Sequence, residues 1–407
     1  MRACVFTLGC KMNEVESASL MRGLEERGYE VTDELGYADI YLLNTCAVTA
    51  EAEKKSRQAV TRMRKFNPDA PVIVCGCASE RDGKAFAERE GVTLVTGAQG
   101  KDKLLKILEE KGIFREVETA FCELPIPKRT RTRAYLRIQD GCNRFCSYCV
   151  IPYLRGRTRS RSAESILEEA ASCGAKEIVL TGIDVSSYQD GDTDLGELLL
   201  KLKDMPARIR LGSLEAGIVT EEFLEKMKAA GNVVPHFHLS LQSGSSKVLK
   251  AMNRRYTREE YLACCKKIYE YFPEAAITTD IIVGYPTETE ADFEESLSII
   301  KEAGFARVHC FPFSSRPGTV AAKLKDLPSS VKKERMGRIT AAAKEAEIAY
   351  ISRFIGKELN VLFEDDGGYS ENYIRVYAKS AREGELCRVK VTGLERDGLK
   401  AEIMEVI

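Results

Sequence analysis

Cys142, Cys146 and Cys149 stand in the run Gly141-Cys142-Asn143-Arg144-Phe145-Cys146-Ser147-Tyr148-Cys149, with the spacing Cys-x3-Cys-x2-Cys. Three thiolates on one short loop suit three corners of a four-iron cluster and leave the fourth iron without a protein ligand. An open coordination position is where a metal site binds and activates a small molecule. Zinc also takes clustered cysteines, but it wants a fourth nearby ligand, and no histidine lies close to these three.

A second set is dispersed. Cys10, Cys46 and Cys77 each follow a short apolar run, at 3–8, 39–43 and 71–74. Helical periodicity follows at 13–27 and 50–66, a further strand pattern at 92–96 and a helix pattern at 101–111. Strands alternating with helices predict a parallel sheet, whose carboxyl edge is where ligands bind. Three cysteines far apart in sequence meet along such an edge. On pattern alone this is as well read as three metal-free loop cysteines, since free Cys behaves as a small hydrophobe. Cys75 reads as structural.

The elements that would position the first set begin at 134. Strand patterns at 134–139, 177–181, 208–212, 236–241, 276–283 and 308–313 alternate with helices at 163–172, 194–203, 221–230, 258–271 and 290–303. In such barrels, functional residues gather at the strand carboxyl ends, and the Cys142–Cys149 loop follows the first strand. The histidines, His236, His238 and His309, fall on strands and read as hydrogen-bonded barrel residues. A long charged helix is predicted over 331–354. Short alternating runs at 358–363, 372–378, 386–392 and 399–406, separated by Gly/Asp turns, predict a small β-barrel.

The cysteine loop, with Tyr148 before its last cysteine, resembles the cluster-binding loop of radical S-adenosylmethionine (SAM) enzymes. Thr7–Asn13 (Thr-Leu-Gly-Cys-Lys-Met-Asn), Asn44-Thr45-Cys46 and Gly76-Cys77 resemble the three cysteine motifs of the methylthiotransferase amino-terminal domain. The resemblance covers essentially the whole chain. It implies an α/β protein: an open parallel α/β sheet domain (1–117), a linker (118–133), a partial (βα)6 radical SAM barrel (134–357) and a small TRAM-like RNA-binding β-barrel (358–407). It implies two 4Fe-4S clusters, on Cys142, Cys146 and Cys149 and on Cys10, Cys46 and Cys77. It also implies SAM as radical source and methyl donor, with Tyr148, Thr181, Gly182, Ser213, Glu215, Gln242 and Gly284 at the cofactor. Ala78-Ser79-Glu80, Ala216 and Thr287 depart from the usual loop residues of that family.

Charge points the same way. The net charge of −1 gives no global pull toward nucleic acid, but basic residues concentrate at 128–133, 155–161 and 254–258. Such runs suit a phosphate backbone. Arg155, Arg157, Arg159 and Arg255 are therefore candidate RNA contacts. Tyr373, Arg375 and Tyr377 alternate in one strand pattern and suit base stacking and phosphate pairing. Fourteen cysteines in a chain with no leader-like start and no bilayer-length apolar segment imply a reducing cytoplasm.

Within the family, Thr7–Asn13 and 237–244 are most similar to the branch acting on threonylcarbamoyladenosine at tRNA position 37. The expected reaction replaces the hydrogen on carbon 2 of that adenine with a methylthio group, the base leaving the anticodon-loop stack to reach the site. An electron donor and a sulfur source are implied partners. The alternatives are the same chemistry on isopentenyladenosine, methylthiolation of a ribosomal-protein aspartate, and a non-catalytic iron–sulfur RNA sensor.

Overall fold

A computed structural model describes residues 1–127, 132–364 and 367–407. Residues 128–131, most of the first basic run, lie outside the described residues.

The amino-terminal domain is a six-stranded parallel sheet. Its strands are β1 (Arg2–Thr7), β2 (Glu30–Thr32), β3 (Ile40–Thr45), β4 (Val72–Gly76), β5 (Val92–Val95) and β6 (Gly112–Ile113), in the order β2-β1-β3-β4-β5-β6. β3 and β4 are buried along their whole length, as strands covered on both faces must be. The strand order reverses between β1 and β3, the switch point at which open α/β sheets bind ligands. The loops carrying Cys10 and Cys46 leave the sheet at that point. The helix expected over 101–111 is only Lys101–Leu104; the chain then turns toward β6, and the Lys101 side chain is buried in an ion pair with Glu16.

The barrel contains β7 (Arg133–Arg137), β8 (Glu177–Thr181), β9 (Arg208–Leu211), β10 (His236–Leu239), β11 (Ala276–Val283) and β12 (Arg307–Pro312), paired in parallel. After Gly212 the chain continues from β9 as Ser213–Leu214, which pairs with β10 and links the two halves of the barrel. No pairing joins β7 to β12 among the described residues, so the barrel is open on that side. Outer helices start at side-chain caps from Ser162, Asp194, Thr220, Thr257 and Thr289, each satisfying a backbone N–H that the helix itself leaves free. One continuous apolar core fills the space between strands and helices.

The long helix Ser329–Ser352 leads to a closed barrel of β13 (Glu358–Glu364), β14 (Gly367–Ser370), β15 (Arg375–Ala378), β16 (Leu386–Glu395) and β17 (Gly398–Val406). β14 has no strand signature because glycine is required there: a Cβ on Gly368 would lie 2.4 Å from Val361 Cγ1 and 2.7 Å from Leu362 O. The strand expected over 372–378 begins only at Arg375, since Tyr373 turns at φ +59°. The small barrel seats under the amino-terminal ends of the large barrel's strands. Arg208 donates to the carbonyls of Asn360 and Tyr369, and Arg210 to those of Ser370 and Glu371.

Candidate active site at the strand ends

The Cys142–Cys149 loop leaves the carboxyl end of β7. Gly141 (φ +71°) permits its entry, since a Cβ there would lie 1.9 Å from Arg157 O. The far side of the loop is tied across the barrel mouth. Ser147 N donates to Met252 O (3.0 Å), Ser147 Oγ donates to Ala251 O (2.9 Å), and Ala321 N donates to Ser147 O (2.8 Å). These bonds fix the loop without using a thiol. Two N–H groups point at sulfur instead: Arg144 N at Cys142 Sγ and Arg254 Nη1 at Cys146 Sγ, both 3.4 Å. Burial pushes the Cys142 thiol up to about 11 and that of Cys149 up to about 12. Metal must therefore displace protons to bind, with the donated N–H groups favouring the thiolate form.

The other strand ends converge here. Asp184 pairs with Arg144 (2.9 Å) after β8. Gln139, which sequence reasoning passed over, joins two loops: its amide donates to Asp140 O and Gly141 O and accepts from Ile183 N and Asp184 N. Thr181 is buried at the end of β8, and a Cβ on Gly182 would press on Gln139 Oε1 at 2.9 Å. Glu215 gives both carboxylate oxygens to Arg254, at 2.8 and 2.7 Å. Its carboxylate thus holds the arginine that donates toward Cys146. Gln242 sits at φ +77°, bridging to Ile281, a conformation that costs a non-glycine residue strain and marks functional turns. Gly284, at φ +75°, donates to Glu288. Tyr148 packs with Val248, Met252, Tyr285 and Phe313. Ser213 is exposed at the end of β9.

Cys10, Cys46 and Cys77 are assembled by the sheet edge. Gly9 (φ +119°) lies so close to Cys46 that a Cβ would sit 3.0 Å from its Sγ, and Gly76 (φ +102°) lets Cys77 open the short helix Cys77–Arg81. Asn13 laces the loops, donating to Leu8 O (2.7 Å) and Thr45 O (3.0 Å), while Asn44 donates to Asn13 O (3.1 Å). Both asparagines belong to the cysteine motifs, and their role is to bring the loops together. Burial raises the Cys46 thiol and pushes Cys77 up to about 11. Cys75 is buried within β4 in the apolar core.

Between the two sets lies Arg155, fully buried. It donates to Glu16 Oε1 (2.8 Å), Asp140 Oδ1 (3.1 Å) and Asn13 Oδ1 (2.9 Å). This corrects the reading of Arg155 as an RNA contact: a guanidinium closed off from solvent cannot reach a phosphate. Arg159 is likewise buried, bound to Arg155 O (3.0 Å), Arg157 O (2.9 Å) and Glu118 (3.1 Å). The run at 155–161 reads as basic in sequence, yet three of its four arginines, Arg155, Arg159 and Arg161, neutralise buried carboxylates. Arg157, over the Phe145 ring at 4.5 Å, and Arg255 are exposed. Tyr373 does not share a strand face with Arg375 and Tyr377. It stacks on Tyr369 (4.6 Å) and beside His236 (4.8 Å), turned toward the large barrel. Arg375 lies between Tyr369 and Tyr377.

Residues 2–97 match the model of the uncharacterized protein family UPF0004, and residues 136–300 that of the radical SAM superfamily. The threonylcarbamoyladenosine tRNA methylthiotransferase MtaB of Bacillus subtilis is 36% identical, over 95% of this chain and 92% of its own. The enzyme of that name from Aquifex aeolicus is 38% identical, over 96% and 100%. The chain belongs to the radical SAM tRNA methylthiotransferase family. The tRNA-2-methylthio-N(6)-dimethylallyladenosine synthase of Staphylococcus aureus is 35% identical over 98% of this chain and 84% of its own. In fold, the chain is similar to the radical SAM methyltransferase TsrM from Kitasatospora setae, solved with cobalamin and a [4Fe-4S] cluster. That likeness has a TM-score of 0.59 at 16% identity and covers 79% of this chain and 77% of the other. As a radical SAM methylthiotransferase the protein is an enzyme that uses a [4Fe-4S] cluster and SAM. The thiol donors at the mouth of β7 fit the cluster, since none is taken up by a disulfide. No helix among the described residues is long and apolar enough to cross a membrane.

Proposed function

We propose that this protein methylthiolates carbon 2 of the adenine of threonylcarbamoyladenosine at tRNA position 37, in the cytoplasm. The observation that carries the reading is the pairing of two thiol triads, one on a barrel loop and one on a facing sheet edge, joined through buried Arg155. When bound, a four-iron cluster at each triad and SAM supply hydrogen-atom abstraction, sulfur and a methyl group. Cys142, Cys146 and Cys149 hold the first cluster. Arg254, kept in place by Glu215, donates toward Cys146. Cys10, Cys46 and Cys77 hold the second, and Asn13 and Asn44 fix the spacing of their loops. Thr181, Gly182, Ser213, Gln242 and Gly284 border the space left for SAM and the flipped base. Arg157 and Arg255, both exposed, and Arg375 and Tyr377, partly buried on the small barrel, offer contacts to the anticodon loop. An electron donor and a sulfur source complete the reaction.

The test is nucleoside mass spectrometry of tRNA from cells with and without the gene, together with assay of the reconstituted enzyme under anaerobic conditions. Loss of 2-methylthio-threonylcarbamoyladenosine in the deletion supports the reading. Loss of 2-methylthio-dimethylallyladenosine instead would support the second reading, which the Staphylococcus aureus relative favours.

A further inference from the structure

A cavity of about 250 Å³ runs down the inside of the large barrel, from Ser213 and Lys11 at its mouth to Tyr373 at its floor. Lys11 follows Cys10 directly; its Nζ lies 5.0 Å from the Tyr135 ring centroid and 3.0 Å from Glu14. The cavity thus begins beside the second thiol triad and ends where the small barrel closes the large one.

Two buried polar atoms of its lining residues have no hydrogen-bond partner among the described residues: Arg133 Nη2, which lies against the Tyr369 and Tyr373 rings, and His236 Nδ1. Both residues are more than nine-tenths buried, at 5% and 6% exposure. Leaving such groups unpaired is costly, more so for a charged one, unless a ligand or water satisfies them. A hydrogen-bond chain fixes what His236 offers. Asp280 Oδ2 lies 3.4 Å from His238 Nε2, Thr278 Oγ1 3.0 Å from His238 Nδ1, and His236 Nε2 3.3 Å from Thr278 Oγ1. With Asp280 as acceptor, His238 Nε2 donates to it and Thr278 donates to His238 Nδ1. His236 Nε2 then donates to Thr278. Burial holds His236 neutral, so Nδ1 of this cavity-lining ring is an acceptor.

Guanidinium groups gather around the floor. Arg133, Arg208 and Arg210 all lean on the one buried carboxylate of Glu177, and Arg133 and Arg375 share Glu364 at 3.2 and 3.7 Å. Glu347 and Asp397 also line the cavity. Tyr373, held at φ +59°, forms an aromatic floor with Tyr369 and His236. A guanidinium N–H without a partner and an acceptor for N–H or O–H together select an acid that also carries a hydrogen-bond donor.

We infer that this lumen is the pocket for the N6 substituent of the target adenine, with Arg133 Nη2 taking a carboxylate on it, His236 Nδ1 accepting from its N–H or O–H, and Lys11 guarding the mouth. The inference rests on the substrate reading above and deepens it: an apolar dimethylallyl group leaves both orphan atoms unpaired, whereas a carboxylate-bearing group satisfies them. A site built to hydrogen-bond a substrate discriminates strongly against one lacking the matching group.

The test uses anticodon stem-loop RNAs bearing threonylcarbamoyladenosine, its methyl ester, or dimethylallyladenosine. Dissociation constants are measured on the unreduced reconstituted enzyme and methylthiolated product on the reduced one. The wild type should bind and convert the acid at least tenfold better than the ester. Arg133→Met leaves Glu177 with two arginines and should erase that preference through KM, with SAM cleavage in the absence of RNA and iron content unchanged. Arg133→Lys should restore part of it, and Lys11→Gln should weaken acid binding several-fold. Should Arg133→Met fail to fold, His236→Phe and Lys11→Gln carry the test. Wild-type turnover of acid and ester at equal efficiency, or variants that keep the preference, would overturn the pocket while leaving the substrate reading standing. Wild-type turnover of the dimethylallyl RNA alone would overturn the substrate reading and the pocket with it.

Discussion

The two cysteine sets are positioned in opposite ways. Cys142, Cys146 and Cys149 share a loop, and barrel groups such as Met252 and Ala321 fix that loop from outside. Cys10, Cys46 and Cys77 come from three strand ends, and their loops are fixed by one another through Asn13 and Asn44. The first geometry is local, and the second exists only once β1, β3 and β4 have paired. Losing a residue of the first set should therefore remove one chemistry, whereas disturbing the second also tests how the two domains are joined.

The largest effect falls on the contiguous set. Cys149→Ala removes one of three thiolates for the cluster that SAM needs. 5′-Deoxyadenosine formation should drop to background and iron content should fall without vanishing. Undiminished deoxyadenosine would separate Cys149 from the reaction. Cys46→Ala should do the converse, keeping deoxyadenosine and losing methylthiolated tRNA. A variant that still makes product at the normal rate would show that Cys46 is no ligand.

Arg155 tests the join itself. Breaking a buried ion pair by removing one partner costs about 3–5 kcal/mol; Arg155→Met should cost less, because Lys101 and Arg137 still face Glu16. The thermal midpoint should fall, and the ratio of methylthiolated product to deoxyadenosine should fall about tenfold as the triads lose registration, since misplacement of about 1 Å costs roughly 10²-fold. A destabilised variant with an unchanged ratio would make Arg155 purely structural.

Much of this was legible in sequence, for physical reasons that differ by region. The strands 177–181 and 276–283 stand where their apolar runs place them, and Thr257 and Thr289 cap the helices that follow their runs. Cys10, Cys46 and Cys77 fall at the sheet edge because a parallel α/β alternation allows little else. What sequence hid was the sign of burial for charge. Arg155 and Arg159 look like Arg157, but Glu16, Asp140 and Glu118, distant in sequence, decide which of the three faces water. Gln139 and β14 escaped for a similar reason: a buried amide and a glycine pinch carry no periodic signal.

The smallest expected effect distinguishes two tyrosines of one domain. Tyr373 is turned into the large barrel. Tyr377 lies between Arg375 (5.6 Å) and Arg396 (5.0 Å), and its hydroxyl donates to Asp397 at 2.5 Å. An aromatic ring flanked by guanidinium groups is a stacking platform for an unpaired base, worth about 1–3 kcal/mol per base on alanine substitution. Deleting the whole domain would confuse the question, because the carbonyls that satisfy Arg208 and Arg210 would go with it. Tyr377→Ala is the cleaner probe: tRNA affinity should weaken about fivefold, near the low end of that range, with deoxyadenosine formation unchanged. Arg396→Ala should weaken binding less and lower the salt dependence by about one counterion. Tyr373→Ala should instead spare the affinity for unmodified tRNA and impair turnover of the modified substrate, since it removes the cavity floor. Equal affinity in all three variants would place the RNA contact on Arg157 and Arg255 at the cluster face and away from the small barrel.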